Sequence, residues 1–543
     1  MNKNKKRIMG LISFILVWAL DALASSTISI ALPEIQKYFT ASIDSVMWNV
    51  TIYTLFTATF LITISKLGDQ FGRKKVFLIN NVIFVVGSII SGFAISLPML
   101  IIGRAMQGLA AAGLMVISMP LALSLFPKEK SPMVTSIFGA TQASALAVGA
   151  FFSGFLIEYY SWRVIFYINI PIVIISIILC IKYVDEVIYS NESNKIDVLG
   201  ILLSSTGLLT LIYTLSNGGK FGYTSVKTLS LFAVSIMCLV LFINVEKKVE
   251  NPIFDLSIFK IKVFNFASLG LLFLGVLYAI SLGLINFYVS DILGYSTVEI
   301  GLVYVVVALG TIISSLSSTK IASKINVSTV PLIGFIVGFI STLLLSTINP
   351  DVTKVQLMFY LFLNGLAVGL IIGQLTSVAL SSVPEEKNGS ASGISRLAFS
   401  VGVIISIAIL TANLTSNLNT AFNNSKDDLI SKIKVESSID NSSRNVILSN
   451  LEELNQSNTK NIFEKIENIL SIKTDRKSKY NYEKFKNSSQ NYYKNLNNES
   501  SDAFCKTFRF ALIFLVGGMI SCLFIRNSTV SEIEDLKKED VIA

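Results

Sequence analysis

Apolar runs of about twenty residues alternate with short polar joints along most of the chain. A hydrocarbon layer of roughly 30 Å is crossed by about 20 apolar residues in helix. The pattern therefore predicts spans over 9–31, 46–66, 76–96, 100–124, 133–157, 163–183, 197–216, 226–244, 264–289, 299–319, 329–348, 355–381, 393–414 and 505–525. Fourteen spans give an all-α membrane protein with both termini on one side. The basic start at residues 3–7, followed by Ala22-Leu23-Ala24, has the form of a signal peptide. Apolar sequence continues to Leu32, however, long enough to cross the bilayer, so this segment is expected to remain as the first span.

Composition agrees with the pattern: of 543 residues, 52% are hydrophobic and 15% charged, which excludes an ordinary soluble enzyme of this size. The formal charge of +9 does not signal nucleic acid, because the basic residues lie in alternate short loops. Lys66, Arg73, Lys74 and Lys75, then Lys128 and Lys130, Lys247, Lys248, Lys260 and Lys262, and Lys320 and Lys324 all fall on the side of residues 3–7. That side is expected to be the cytoplasm of a cell with the chain in its plasma membrane. Cys180, Cys238 and Cys522 lie inside apolar runs and Cys505 near a span end, so no disulfide is expected. Gly219-Lys220 is followed by Phe221 and lacks the upstream glycine of a phosphate-binding loop, so neither ATP hydrolysis nor any other enzymatic role is expected, and no cofactor or metal.

One segment breaks the rhythm. Residues 416–502 are polar, rich in Asn, Ser and Lys, and fall on the outer side before the last span. Within them, 427–435, 446–454 and 462–472 space Ile and Leu at helical intervals, the pattern of a short amphipathic hairpin, against the alternative of a partly disordered insertion.

Between the second and third spans stands SKLGDQFGRKK, residues 65–75, where Gly68 and Gly72 permit a tight turn and Asp69 faces Arg73, Lys74 and Lys75. This loop resembles the signature of the major facilitator superfamily, with Ser65 in place of the usual glycine. The fourth span opens LIIGRAMQGLAAAGL, residues 100–114, and sets Arg104 inside an apolar helix at a cost of roughly 2.5–3.5 kcal/mol. It is similar to the fourth-span motif of drug:proton antiporters, where the matching arginine is implicated in proton relay. A snorkelling arginine is the structural alternative.

Asp21 is the acidic side chain placed well inside a span, and it is the leading proton carrier. Burial of a carboxyl favours its neutral form, the property such a carrier needs. With no histidine in the chain, carboxylates must do this work. The following ALASSTISIALP, residues 22–33, resembles the first-span signature of fourteen-span antiporters, whose acidic position falls on Ala24. Asp21 stands three residues earlier, on the same helix face. In the fifth span Gly149-Ala150 and Ser153-Gly154 stand where superfamily antiporters carry Gly-Pro and Gly-Gly; without the proline a straighter helix is expected. Trp162, Arg163, Phe166, Asn169 and Pro171 match an element common in the fourteen-span subgroup.

The resemblance implies a major facilitator fold. It divides the chain into a six-helix bundle at 1–190, two additional spans at 191–250, a second six-helix bundle at 251–415 and 503–528, the outer insertion at 416–502 and a cytoplasmic tail at 529–543. A cavity between the bundles would be lined by Trp48, Tyr53, Gln107, Gln142, Asn286, Tyr304, Asn364 and Gln374, each of them also a plausible packing residue. The implied activity is proton-coupled efflux of small lipophilic or cationic compounds by alternating access, with the small molecule, protons and the bilayer as partners of a monomer. A lipid translocator of the same fold and a tetracycline-type exporter are the alternatives.

Overall fold

The computed structural model describes residues 3–127, 152–186, 198–222, 224–247, 256–322, 324–325, 328–383, 388–436, 439, 441–454, 459–471 and 476–542, with the isolated positions 134, 137, 138, 141, 145 and 149. Ten helices among them are long and apolar enough to cross a membrane. The other four expected passes are accounted for individually. Ile43–Phe71 is 29 residues long and more polar. Leu199–Leu211 and Thr329–Leu345 are short apolar helices. The fifth pass falls partly outside the described residues, with helix at the isolated positions and over 152–159.

The first half comprises α1 (Lys3–Phe39), α2 (Ile43–Phe71), α3 (Arg73–Gly92), α4 (Leu97–Ser124), α5 (152–159) and α6 (Val164–Tyr183). Next come the paired α7 (Val198–Phe221) and α8 (Val226–Glu246). The second half holds α9 (Lys262–Ala279, continuing through π turns to Ile292), α10 (Thr297–Ala322), α11 (Thr329–Leu345), α12 (Lys354–Ser381) and α13 (Asn388–Val435). After α14 (Asn441–Glu452) and α15 (Thr459–Ser471), α16 (Arg476–Ile542) returns to complete it. Exposed Ile79, Val82, Val86 and Ile89 follow a helical stripe along α3, as an outward face toward lipid requires.

Each half is tied by the same close crossing, which reveals an internal repeat. Thr57 donates to the carbonyls of Tyr53 (2.8 Å) and Gly108 (3.0 Å), joining α2 to α4. Thr311 donates to Val307 (3.0 Å) and Gly365 (3.1 Å), joining α10 to α12. A Cβ on Gly108 would meet the Tyr53 carbonyl at 2.4 Å, and one on Gly365 the Val307 carbonyl at 2.1 Å, so only glycine allows either approach. The repeat aligns Tyr53 with Val307 and Gln107 with Asn364.

The 416–502 segment is not a simple hairpin. Four helices build it: the far end of α13, which runs unbroken for 48 residues, then α14, α15 and the start of α16. They enclose their own apolar core, including Phe422, Leu429, Ile447, Leu451, Phe463, Ile466 and Phe485. Lys426 Nζ donates to the carbonyls of Glu452 and Leu454, both at 3.0 Å, and so closes the C-terminal end of α14. This domain marks the insertion end of the bundle, and the 65–75 loop marks the opposite, loop end.

Candidate functional site

Asp21 lies near the middle of α1 and is 9% exposed; Arg104, on α4, is 1% exposed. Tyr53 of α2 stands between them. Its hydroxyl donates to Asp21 Oδ1 at 2.8 Å, and the Arg104 guanidinium lies 4.2 Å from the centre of its ring. Arg104 Nε donates to the Asn49 carbonyl at 3.1 Å and Nη1 to Gln107 Oε1 at 2.9 Å. Gln107 Nε2 continues to Ser88 Oγ at 2.8 Å on α3. Four helices thus contribute to one buried polar chain.

The local sequence explains why the charge is tolerated. A buried guanidinium is costly unless its donors are met and an opposite charge is near. Asn49 and Gln107 accept from two of its N–H groups, the face of Tyr53 lies against it, and Asp21 is within electrostatic reach. Arg104 therefore does not snorkel. Ala24, the position the resemblance assigns to the acid, is buried among apolar neighbours one turn further along α1.

A second polar cluster joins the halves at the insertion end. Asn286 Nδ2 donates to the Ser29 carbonyl of α1 at 2.8 Å and to Tyr304 Oη at 2.6 Å. Tyr304 in turn donates to the Ser281 carbonyl at 2.5 Å. The π turns of α9 shift the carbonyl register there, and such turns favour functional sites. Nearby, Thr415 donates to Asp44 at 2.9 Å and Val298 N–H to Glu158 at 2.9 Å, also between halves.

The remaining expected residues are dispersed. Trp48 packs with Leu55 and Ile404, its ring 6.0 Å from that of Tyr213 on α7. Gln374 donates to Ser318 at 3.0 Å inside the second half. Asn364 is fully buried between α12 and its neighbours, with no hydrogen-bond partner for either amide atom among the described residues. Gly149 is a buried helical position whose carbonyl accepts from Ser153 at 2.5 Å, while a Cβ on Gly154 would lie 2.5 Å from the Thr297 carbonyl of the opposite half. Gln142, Ala150 and the Asp69 side chain lie outside the described residues.

At the loop end Gly72 has φ +98°, a left-handed conformation suited to glycine. A Cβ there would also sit 2.7 Å from the Glu186 carboxyl carbon. Glu186 accepts from the Lys74 and Lys75 backbone N–H groups at 2.8 and 3.0 Å, an anionic cap on α3, and Lys74 Nζ donates to the Val184 carbonyl at 2.6 Å. Sequence reasoning overlooked Glu186, Asn49 and Ser88. It also overlooked Arg396, although an arginine inside the apolar run 393–414 was a signal in plain view.

A family model described as Major Facilitator Superfamily matches residues 14–407. Among similar proteins, Multidrug resistance protein 3 of Bacillus subtilis (strain 168) is 28% identical over 79% of this chain and 82% of its own length. Multidrug resistance protein Stp of Mycobacterium tuberculosis (strain CDC 1551 / Oshkosh) is 29% identical over 75% of this chain and 76% of its own. The tetracenomycin C resistance and export protein of Streptomyces glaucescens is 26% identical over 72% of each. Among solved structures, a bacterial homolog of the human lysosomal transporter Spinster superposes with a TM-score of 0.62 at 13% identity, covering 96% of this chain and 98% of that one. With the family match extending over well more than half of its length, and the paired helical bundles to accompany it, the chain belongs to the Major Facilitator Superfamily.

Proposed function

We propose that this chain is a proton-coupled exporter of small lipophilic or cationic compounds, a monomer in the plasma membrane with both termini in the cytoplasm. The observation that carries the reading is the Asp21–Tyr53–Arg104 cluster: one carboxylate and one guanidinium at membrane depth, linked through a phenol. Intramembrane ionisable groups are retained chiefly where they serve transport or proton relay. The names of the relatives, which speak of multidrug resistance and of tetracenomycin C export, support small lipophilic cargo.

In this state the halves meet at the insertion end through Asn286 and Ser29, Thr415 and Asp44, and Val298 and Glu158. Alternating access requires these contacts to part as the halves rock. Protonation of Asp21 cancels the charge that faces Arg104 and weakens the charge-assisted hydrogen bond that orders Tyr53. The α1–α2–α4 packing then has two electrostatic states, which protons from outside select. A proton driven by the potential supplies roughly 2.3 kcal/mol per 100 mV. That energy sustains an accumulation ratio on the order of fiftyfold.

The test is flux of rhodamine 6G from proteoliposomes under an imposed pH gradient, comparing wild type with Asp21→Asn and Arg104→Ala. Asp21→Asn is expected to lose gradient-driven flux by at least tenfold while still binding the dye, and Arg104→Ala to lose it as well. Wild-type gradient-driven flux in both variants overturns the reading.

A further inference from the structure

A second guanidinium stands at membrane depth between the halves. Arg396 lies eight residues into α13, about 12 Å along the axis from its start at Asn388. Its side chain is partly buried and crosses to the opposite half, where Nη2 lies 3.5 Å from the thioether sulfur of Met115 on α4. A thioether is a weak acceptor, a poor match for five N–H donors. Arg104 differs in having a carbonyl, an amide oxygen and an aromatic face around it. Asp21 offsets Arg104, whereas no ion pair with Arg396 is found among the described residues. An intramembrane charge left so is expensive, and a passing ligand can supply what the protein withholds.

The surroundings of Arg396 point to the shape of that ligand. Phe399, one turn on along the same face of α13, meets Tyr278 of α9 edge to face with centroids 4.9 Å apart. Tyr53 and Tyr278 are both within electrostatic reach of Arg396. Met115 opposite is flexible and polarisable, suited to cargo of varied outline.

We propose that Arg396 is a cargo-binding residue, holding a carboxylate, sulfonate or phenolate oxygen of an aromatic compound whose flat body rests against Tyr278, Phe399 and Met115. A planar guanidinium donates to two oxygens of a carboxylate or sulfonate at once, a fork that a lysine cannot reproduce. The inference rests on the exporter reading and extends its cargo to aromatic anions, with Asp21 kept for protons.

Two xanthene dyes of opposite charge separate these possibilities: fluorescein, an anion, and rhodamine 6G, a cation. Their binding to the purified full-length protein is followed by fluorescence polarisation, with Arg396→Gln and Arg396→Lys beside wild type and a thermal melt to verify folding. The expected result is fluorescein affinity lowered about tenfold or more in Arg396→Gln and by less in Arg396→Lys, with rhodamine 6G bound at least as tightly as before. Wild type that fails to bind fluorescein overturns the proposal, as does an equal loss for both dyes or no loss for either. Failure of the exporter reading looks different: fluorescein bound through Arg396 without any gradient-driven flux of either dye.

Discussion

Tyr53 donates its hydroxyl hydrogen to Asp21 at 2.8 Å, from one helix to the next, while the face of the same ring lies beneath Arg104. Anion and cation therefore act on opposite aspects of one side chain. Tyr53→Phe keeps the ring under the guanidinium and removes only the O–H. A hydrogen bond to a charged group contributes about 1.5–3 kcal/mol. Gradient-driven rhodamine 6G flux in proteoliposomes is expected to fall on the order of tenfold, the factor that about 1.4 kcal/mol makes. Flux equal to wild type would exclude the phenol from the proton path.

The internal repeat offers a comparison of two buried amides at matching positions. Gln107 bridges Arg104 to Ser88, so Gln107→Leu strands two buried polar partners and is expected to destabilise the protein by about 1–3 kcal/mol. Asn364, its counterpart on α12, has no protein partner for either amide atom among the described residues, so Asn364→Leu is expected to melt at or above the wild-type temperature. Thermal melts of the two variants in one detergent should separate, with Gln107→Leu below wild type and Asn364→Leu not below it. A shared direction would mean that the two halves do not differ as the hydrogen bonds indicate.

The fold was legible because bilayer thickness imposes a run length that any span must satisfy, and the charged loops recur in phase with it. The site was legible in part. Asp21 and Arg104 stood out because a charge inside an apolar run is conspicuous, yet Tyr53, which connects them, has the sequence appearance of any aromatic in a helix. The hydrogen bonds from Arg104 to Asn49 and, through Gln107, on to Ser88 depend on which faces of α2, α3 and α4 meet, and a linear pattern does not encode that choice. Glu186 escaped notice because its partners, Lys74 and Lys75, are over a hundred residues away. Residues 416–502 misled in a different way. Their helices are short and polar, and only the continuity of α13 and α16 with them, together with a shared core, makes a domain of the segment.

The domain formed by residues 416–502 should be separable in stability from the membrane bundles. Phe463 lies at the centre of its core, 3% exposed, with the rings of Phe485, Tyr492 and Tyr493 at 5.8, 5.2 and 5.4 Å. Replacing a buried Phe with Ala costs about 3–5 kcal/mol. Domains this small hold only a modest reserve, so Phe463→Ala is expected to open the α14–α15 region locally while the spans stay packed. Limited proteolysis of the detergent-solubilised protein checks this: cleavage within 416–502 should accelerate by at least tenfold, and the fragments on either side should remain associated and resist further digestion. Since α13 and α16 both belong to the second half, the loosened domain still rides with that half, and gradient-driven flux should persist. Cleavage at the wild-type rate would mean that the aromatic cluster does not hold the domain together. Collapse of the whole bundle would mean instead that the helices of the insertion and the spans fold as one cooperative unit.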